Sequence, residues 1–334
     1  MSDDLRASEV LQAGGTAPDV PPEKEPPTEL LAAREHAGTR TLWGDAWYRL
    51  RRNKLALVSI AWLVLLVLAA VTAGLWVPQH YGKPNDIPRA VMTERFLSPS
   101  LAHPLGTDDL GRDLFSRVVY GARTSLTVGA LAVLVSVLIG VLLGAVSGFY
   151  GGWADGVIMR LADVFLAFPY ILFAMVILVT LPESTRTTIT PVVITIGVLG
   201  WPSIARVFRS SILSVKENDY VDAGRALGAG DGRLITRHIL PNAIAPIIVY
   251  ATMSVGGAIL TEAALSFLGL GLRYDPVANP FAVSWGGMIA DGQGYLQSNP
   301  WIVIWPGLAI VTTVLAFTLL GDGVRDALDV KMKD

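Results

Sequence analysis

The chain has 334 residues, 52% of them hydrophobic and only 16% charged, with a mean hydropathy of +0.51. A soluble domain is nearer a quarter charged, so the deficit points to an integral membrane protein. The net charge of −2 gives no case for nucleic-acid binding, and the absence of cysteine excludes disulfides, thiolate chemistry and Cys-based zinc sites.

Residues 1–40 are polar, with Pro21, Pro22, Pro26 and Pro27 among acidic groups. No apolar run starts at Met1, which argues against a cleavable signal peptide, and the stretch reads as a disordered cytoplasmic tail. The basic cluster R-L-R-R-N-K at 49–54 precedes an uncharged run at 55–77. That run reaches about 35 Å as a helix, enough for a hydrocarbon core of about 30 Å. Basic residues ahead of a first span predict a cytoplasmic N-terminus. Segment 41–77 is thus an amphipathic lead-in followed by the first transmembrane helix.

Segment 78–120 is extracytoplasmic on this reading. Its cations are nearly balanced by acids, and long translocated segments obey the charge rule poorly. Within it, T-D-D-L-G-R-D-L-F-S-R-V-V-Y at 107–120 predicts an amphipathic helix along the outer interface. Leu110, Leu114 and Val118 share a stripe, Thr107 caps, and Asp108 and Asp109 suit the positive end of the dipole. Asp108–Arg112 and Asp113–Arg117 are i, i+4 pairs, and pairing explains the aspartates better than cation binding.

A second span follows at 126–149, with Gly140, Gly144 and Gly148 spaced by four as a close-packing seam. The third, about 157–181, carries Arg160 and Asp163, three apart on one helix face. They read better as a mutually neutralising pair than as a proton relay. The fourth runs over about 189–207, kinked or broken near Pro202. The fifth covers about 243–270 and the sixth 301–321. Glu262 is the remaining charge well inside a crossing, and an intramembrane acid is a functional candidate by default. Trp201, Tyr250, Trp285 and Trp301 are the aromatic candidates beside it, of which Trp301 opens a span and suits interface anchoring. None of His36, His80, His103 and His238 forms an i, i+4 metal pair.

Six crossings place both termini and the loop 208–242 in the cytoplasm, with 121–322 as a core of five spans and 323–334 as a tail. The part of the loop at 219–242, D-Y-V-D-A-G-R-A-L-G-A-G-D-G-R-L-I-T-R-H-I-L-P-N, is charged and punctuated by glycine. Asp219 is a candidate N-cap with Asp222 three residues on, residues 221–227 form a short helix, and Gly228 supplies a left-handed stop. Gly230 and Asp231-Gly232 predict a turn, and a second helical stretch at 233–239 ends before Pro241. A helix of under two turns is not stable alone in water, so a partner or its own flanks must hold it. Connections in helical bundles are commonly two to eight residues, so the length of this one favours a docking element. No G-x-x-x-x-G-K-[ST] phosphate loop occurs in the chain, and G-A-G-D-G lacks both the Lys-Ser and the preceding strand.

D-A-G-x-x-x-G, nine residues, then H-I-L-P resembles the E-A-A-x-x-x-G, nine residues, I-x-L-P loop of ABC importer permeases. Asp222 stands for Glu, Gly224 for the second Ala, and His238 for Ile; Gly224 loosens the helix by about 1 kcal/mol relative to Ala. H-P-L-G-T-D-D-L-G-R-D (103–113), Y-G-A-R-T-S-L (120–126), A-F-P (167–169), L-T-E-A-A-L-S-F-L-G-L-G (260–271) and L-L-G-D-G-V-R-D-A-L-D (319–329) resemble the C-type permease subunit of dipeptide and oligopeptide importers.

The resemblance implies an all-α, multi-pass protein of the cell (inner, cytoplasmic) membrane. It would have six transmembrane helices, the type I ABC importer permease fold, and both ends inside. It implies a B-type permease partner, two ATPase subunits that bind the ATP and magnesium this chain does not, and an extracytoplasmic binding protein. Asp222, Ala223, Gly224, Arg225, Leu227, Gly228, Leu240 and Pro241 would couple to an ATPase. Glu262, Asp163 and Arg160 remain candidates for the pathway or a subunit contact. Di- or oligopeptides are the expected cargo, with nickel chelates or oligosaccharides as alternatives. A self-contained secondary transporter would need no such loop, and an intramembrane enzyme would need catalytic groups that the spans lack.

Overall fold

The computed structural model describes residues 42–80, 91–272 and 282–329. The N-terminal stretch read as a tail lies outside them, as do Lys83, Arg89, Lys331 and Lys333. Among the described residues the named elements are all helices. A short helix, α1 (Leu42–Leu50), turns at 51–53 into α2 (Lys54–His80). Asn53 starts α2, its Oδ1 accepting from Ala56 N at 3.1 Å. Along α2 most buried positions are small (Ala56, Ser59, Ala70, Ala73, beside Leu63 and Val77), while Val58, Leu65, Val71 and Leu75 lie exposed. Large apolar groups outside and small ones inside is the pattern of a helix in lipid, where close backbone approach drives packing.

Next comes α3 (Leu114–Tyr150), a single helix of 37 residues. The sequence placed an interfacial helix at 107–120 ahead of a separate span, and the structure corrects this. Thr107 caps nothing; Asp113 is the N-cap, accepting from Ser116 N at 2.7 Å. Residues 107–113 form a turn closed by a bridge between Thr107 and Asp113. The two glycines at 106 and 111 adopt positive φ, which halts helix formation until Asp113. The proposed boundary at 121 therefore falls inside α3.

Helix α4 (Gly152–Ala167) and α5 (Tyr170–Thr180) replace the continuous third span, meeting at a bend of 88°. Pro169 causes the break: the residue before a proline is pushed out of the helical region, and Phe168 sits at φ −91°, ψ 141°. Pro202, by contrast, does not break α6 (Thr190–Lys216), which runs through it. Neighbouring helices can support a proline in a membrane helix, and α6 is held along its length by α3. A Cβ on Gly140 would lie 2.7 Å from Ile204 Cβ, one on Gly144 2.7 Å from the Ala205 carbonyl, and one on Gly148 3.0 Å from Ile212 Cβ. The glycine seam is thus what lets α3 and α6 touch.

After α6 come α7 (Asp219–Ala226) and a wound segment of short turns over 231–243, partly π-helical at Leu234–Ile239. Then follow α8 (Ala245–Phe267), the short α9 (Trp285–Gly292) and α10 (Trp301–Leu328). Five helices (α2, α3, α6, α8 and α10) are long and apolar enough to cross a membrane, and α4 with α5 is a sharply bent apolar pair, long enough for a sixth crossing only when taken together. Because α10 continues to Leu328, the expected tail from 323 begins as helix. Helix α3 sits at the centre, packed on α6 and α8; α10 packs on α8, and α2 on α10.

Candidate functional site

The loop between α6 and α8 is folded against the bundle. Val221 of α7 and Leu234 and Ile239 of the wound segment are fully buried with Phe208 and Ile212 of α6. Its own flanks therefore hold the short helix. The N-cap is Asn218, not Asp219, and its side chain turns back to donate to the Val215 carbonyl at 2.9 Å. Asp219 is the first helical residue, where an acid still suits the dipole. Gly228 has φ +80°, with Gly228 N on Arg225 O and Ala229 N on Gly224 O. Those two bonds and the left-handed glycine make a complete Schellman stop. Gly224 has a packing use as well, since a Cβ there would meet Leu234 Cδ2 at 3.2 Å.

What α7 leaves outside is a compact face. Asp222, Ala223, Arg225, Ala226 and Gly228 are exposed, and Leu227 is 88% exposed. Arg225 Nη1 donates to Asp222 Oδ1 at 3.1 Å, an exposed pair of little stabilising value. Leu240 is half-buried, and exposed Pro241 sits in the first turn of the segment leading to α8. Leu227 thus stands outside this chain's own core, beside a glycine with open space around it.

The charges of α4 are paired differently from the expectation. Asp163 bonds Arg206 of α6, and Arg160 has no ion-pair partner among the described residues. One turn nearer the loop, Asp155 takes two hydrogen bonds from Arg209 and one from Ser147. The i, i+3 proximity on α4 loses because α6 brings a guanidinium with better reach. These groups line an open polar cavity of about 460 Å³. Lys216 donates to the Phe149 carbonyl at 2.6 Å, closing the exposed end of α3.

Glu262 is only 1% exposed and lies between helices of this one chain. Ser125 Oγ of α3 donates to one carboxylate oxygen at 3.0 Å and Ser266 Oγ to the other at 2.6 Å. Ser284, the N-cap of α9, bonds it as well. The acid ties α3, α8 and α9 together, so neither an open pathway nor a neighbouring subunit meets it in this conformation. Trp285 likewise is core, its Nε1 donating to the Val118 carbonyl at 2.9 Å over Gly121. Trp201 is buried against Phe165 with centroids 5.7 Å apart. Of the aromatic candidates, Tyr250 does line open space.

At the far end of the bundle a second ionic cluster joins the 107–113 turn to α9. Buried Asp108 accepts from Arg112 Nε at 2.7 Å and Arg117 Nη1 at 2.9 Å, and Arg117 Nη2 donates to Asp291 at 2.7 Å. The expected Asp108–Arg112 pair is present, but Arg117 chooses Asp108 and Asp291 over Asp113, which binds His103 at 2.9 Å. Burial, with the Asp108 charge next to it, holds the Asp109 carboxyl above the usual carboxylate range. A sequence shows the members of this cluster but not the partner on α9.

Two family models match the chain. One, the binding-protein-dependent transport system inner membrane component, covers residues 140–334; the other, the N-terminal TM domain of oligopeptide transport permease C, covers 41–99. The dipeptide transport system permease protein DppC of Alkalihalophilus pseudofirmus is 43% identical over 291 residues, 87% of this chain and 90% of that protein. The glutathione transport system permease protein GsiD of Escherichia coli O157:H7 is 40% identical over 294 residues, 88% of this chain and 92% of that protein. Among solved structures, an inward-facing MetNI methionine ABC transporter chain aligns with a TM-score of 0.50 at 19% identity, over 64% of this chain and 97% of that one. That last likeness concerns the fold alone. The chain belongs to the binding-protein-dependent transport permeases, as a multi-pass membrane subunit of the C type.

Proposed function

We propose that this chain is one of two permease subunits of an ATP-driven importer for short peptides in the cytoplasmic membrane. The observation that carries the coupling part is α7: a helix fixed from beneath by Val221 and Leu234, offering Asp222, Ala223, Arg225, Leu227 and Gly228 to a partner. The basic residues Arg49, Arg51, Arg52 and Lys54 lie at the same end of the bundle as α7, as the Arg49 bond to the Asp329 carbonyl fits. The positive-inside rule assigns that end to the cytoplasm. An ATPase seated on α7 transmits closure of its dimer to α6 and α8, the two helices flanking the loop, and the bundle alternates between outward and inward openings. ATP and magnesium belong to the ATPases, and an extracytoplasmic binding protein delivers the solute to the other end. A B-type permease completes the pathway.

The peptide cargo rests on the relatives named for dipeptides and for glutathione, itself a tripeptide. Nickel chelates and oligosaccharides remain the competing cargoes and are separated by competition. The test uses the natural absence of cysteine. A single L227C substitution, co-expressed with the importer's ATPase subunits, crosslinks to an ATPase cysteine, and the complex takes up labelled dipeptide. Unlabelled peptides compete, and nickel chelates and oligosaccharides do not. An L227C chain that crosslinks to no ATPase removes the docking role; competition by a sugar but not by peptides removes the cargo.

A further inference from the structure

One face of α8 is unlike the rest of that helix. Tyr250, Ser254, Gly257 and Thr261 follow one another at helical spacing along it, and all line open space. With Ser203 of α6 and Tyr170 of α5 they wall a cavity of about 290 Å³. No residue lining it is charged. A second cavity of about 390 Å³ lies nearer the loop end and shares Tyr250; Arg325 and Asp329 of α10's end stand at its margin. From Pro246, which lines the second cavity, to Thr261 the stripe rises about 23 Å, most of a core of about 30 Å.

The hydroxyls divide into two sorts. Ser254 Oγ donates to the Tyr250 carbonyl at 2.7 Å and Thr261 Oγ1 to the Gly257 carbonyl at 3.0 Å. Their protons are used within α8, so their oxygens remain as acceptors. The side-chain hydroxyls of Ser203 and Tyr250 make no hydrogen bond among the described residues and keep a proton to donate. A lipid tail satisfies neither sort, and a polar group left without a partner at this depth is costly. Adjacent Glu262 points away into the α3–α9 contact, so the one acid on α8 is withheld from this face.

We propose that the two cavities joined at Tyr250 are this subunit's half of the solute pathway, and that its membrane-depth part binds uncharged amide groups. The proposal rests on the reading of the chain as a peptide importer permease. Spare acceptors take amide N–H groups and spare donors meet amide carbonyls, which every peptide carries whatever its side chains. The wall therefore passes acidic, neutral and basic peptides alike, and charges are met only at the loop-end mouth, by Arg325 and Asp329.

Gly257 gives the experiment its handle. It is exposed, and a Cβ built on it meets nothing within 4 Å, so substitution is tolerated by the fold. In the complete importer, G257C reacts with membrane-impermeant thiosulfonates at least about tenfold faster than L138C, on an exposed apolar face of α3, and the reaction blocks uptake. Reaction of G257C with lipid-soluble maleimide alone places the stripe against lipid or the second permease and overturns the pathway. In the second arm, G257D raises the uptake ratio of Ala-Lys to Ala-Asp relative to the unsubstituted importer, and G257K lowers it. Each shift is about tenfold, the effect of one charge at partly wetted distance. Equal slowing of both peptides by both variants refutes charge-blind passage along this wall. Labelling does not depend on the cargo: aqueous labelling without any peptide uptake keeps the pathway and removes the peptide reading.

Discussion

The two polar structures at opposite ends of the bundle contain similar residues and are built in opposite ways. At the end away from the loop, Asp108, Arg112, Arg117 and Asp291 are drawn together, with Asp108 and Arg117 buried and each charge answered by another. At the loop end, α7 buries only its apolar underside and leaves Asp222, Arg225 and Leu227 exposed. The first cluster is complete within the chain. The second is not, and on the proposed function an ATPase completes it. Satisfaction, more than residue type, separates the two.

Five substitutions bear on that contrast. Replacing Gly228 with valine forces a β-branched side chain to φ +80° and dismantles the Schellman stop. Uptake is abolished while the protein remains at normal level in the membrane; full transport would mean the stop is not used. At the end away from the loop, D108A leaves buried Arg117 with Asp291 as its one remaining anion, a loss below the about 3–5 kcal/mol of a fully broken buried pair. It shows as a lowered melting temperature of the detergent-purified complex, whereas unchanged stability would make the cluster ornamental. L227A removes an exposed side chain, so stability stays within about 0.5 kcal/mol. Peptide uptake per ATP hydrolysed falls several-fold, and equal coupling would take Leu227 off the docking face. G224A has two opposed terms. Better helix propensity, worth about 1 kcal/mol, meets the 3.2 Å approach to Leu234. Uptake therefore stays within about threefold of normal, and a complete loss would show that α7 tolerates no shift.

The smallest effect concerns Asp109. Its folded pKa lies above the unfolded value, so ionisation costs the folded state something at neutral pH. That cost is present above the folded pKa and vanishes as pH falls below the unfolded one. D109N is then slightly more stable at pH 7, and the gap closes on acidification. A gap that widens towards low pH would mean that Asp109 is stabilised as the anion.

The local shape of the 219–242 loop was legible in the sequence. Its charge, its Gly228 stop and the lack of a phosphate loop are all written in consecutive residues. So were the apolar spans and the Gly140–Gly144–Gly148 seam, because helix periodicity makes neighbours of residues four apart. The misplacements share a cause. Arg160 and Asp163 are neighbours on α4, yet Asp163 bonds Arg206, which lies 43 residues away. Ser266, one turn along α8, satisfies one oxygen of Glu262, and the other is taken by Ser125, 137 residues away, which no local pattern reveals. The hydroxyl stripe of α8 went unseen because serine and threonine are ordinary in membrane helices. They become a wall when α6 and the α4–α5 bend leave that face open.

Local chemistry therefore determined which segments are helical and where glycine stops them. Each of those follows from backbone sterics and apolar content within a few residues. Partner choice among charges, and which faces are closed or open, was decided by tertiary structure alone. In low dielectric a buried carboxylate must take the nearest good donor, and only the packing of α3, α6, α8 and α9 says which donor that is.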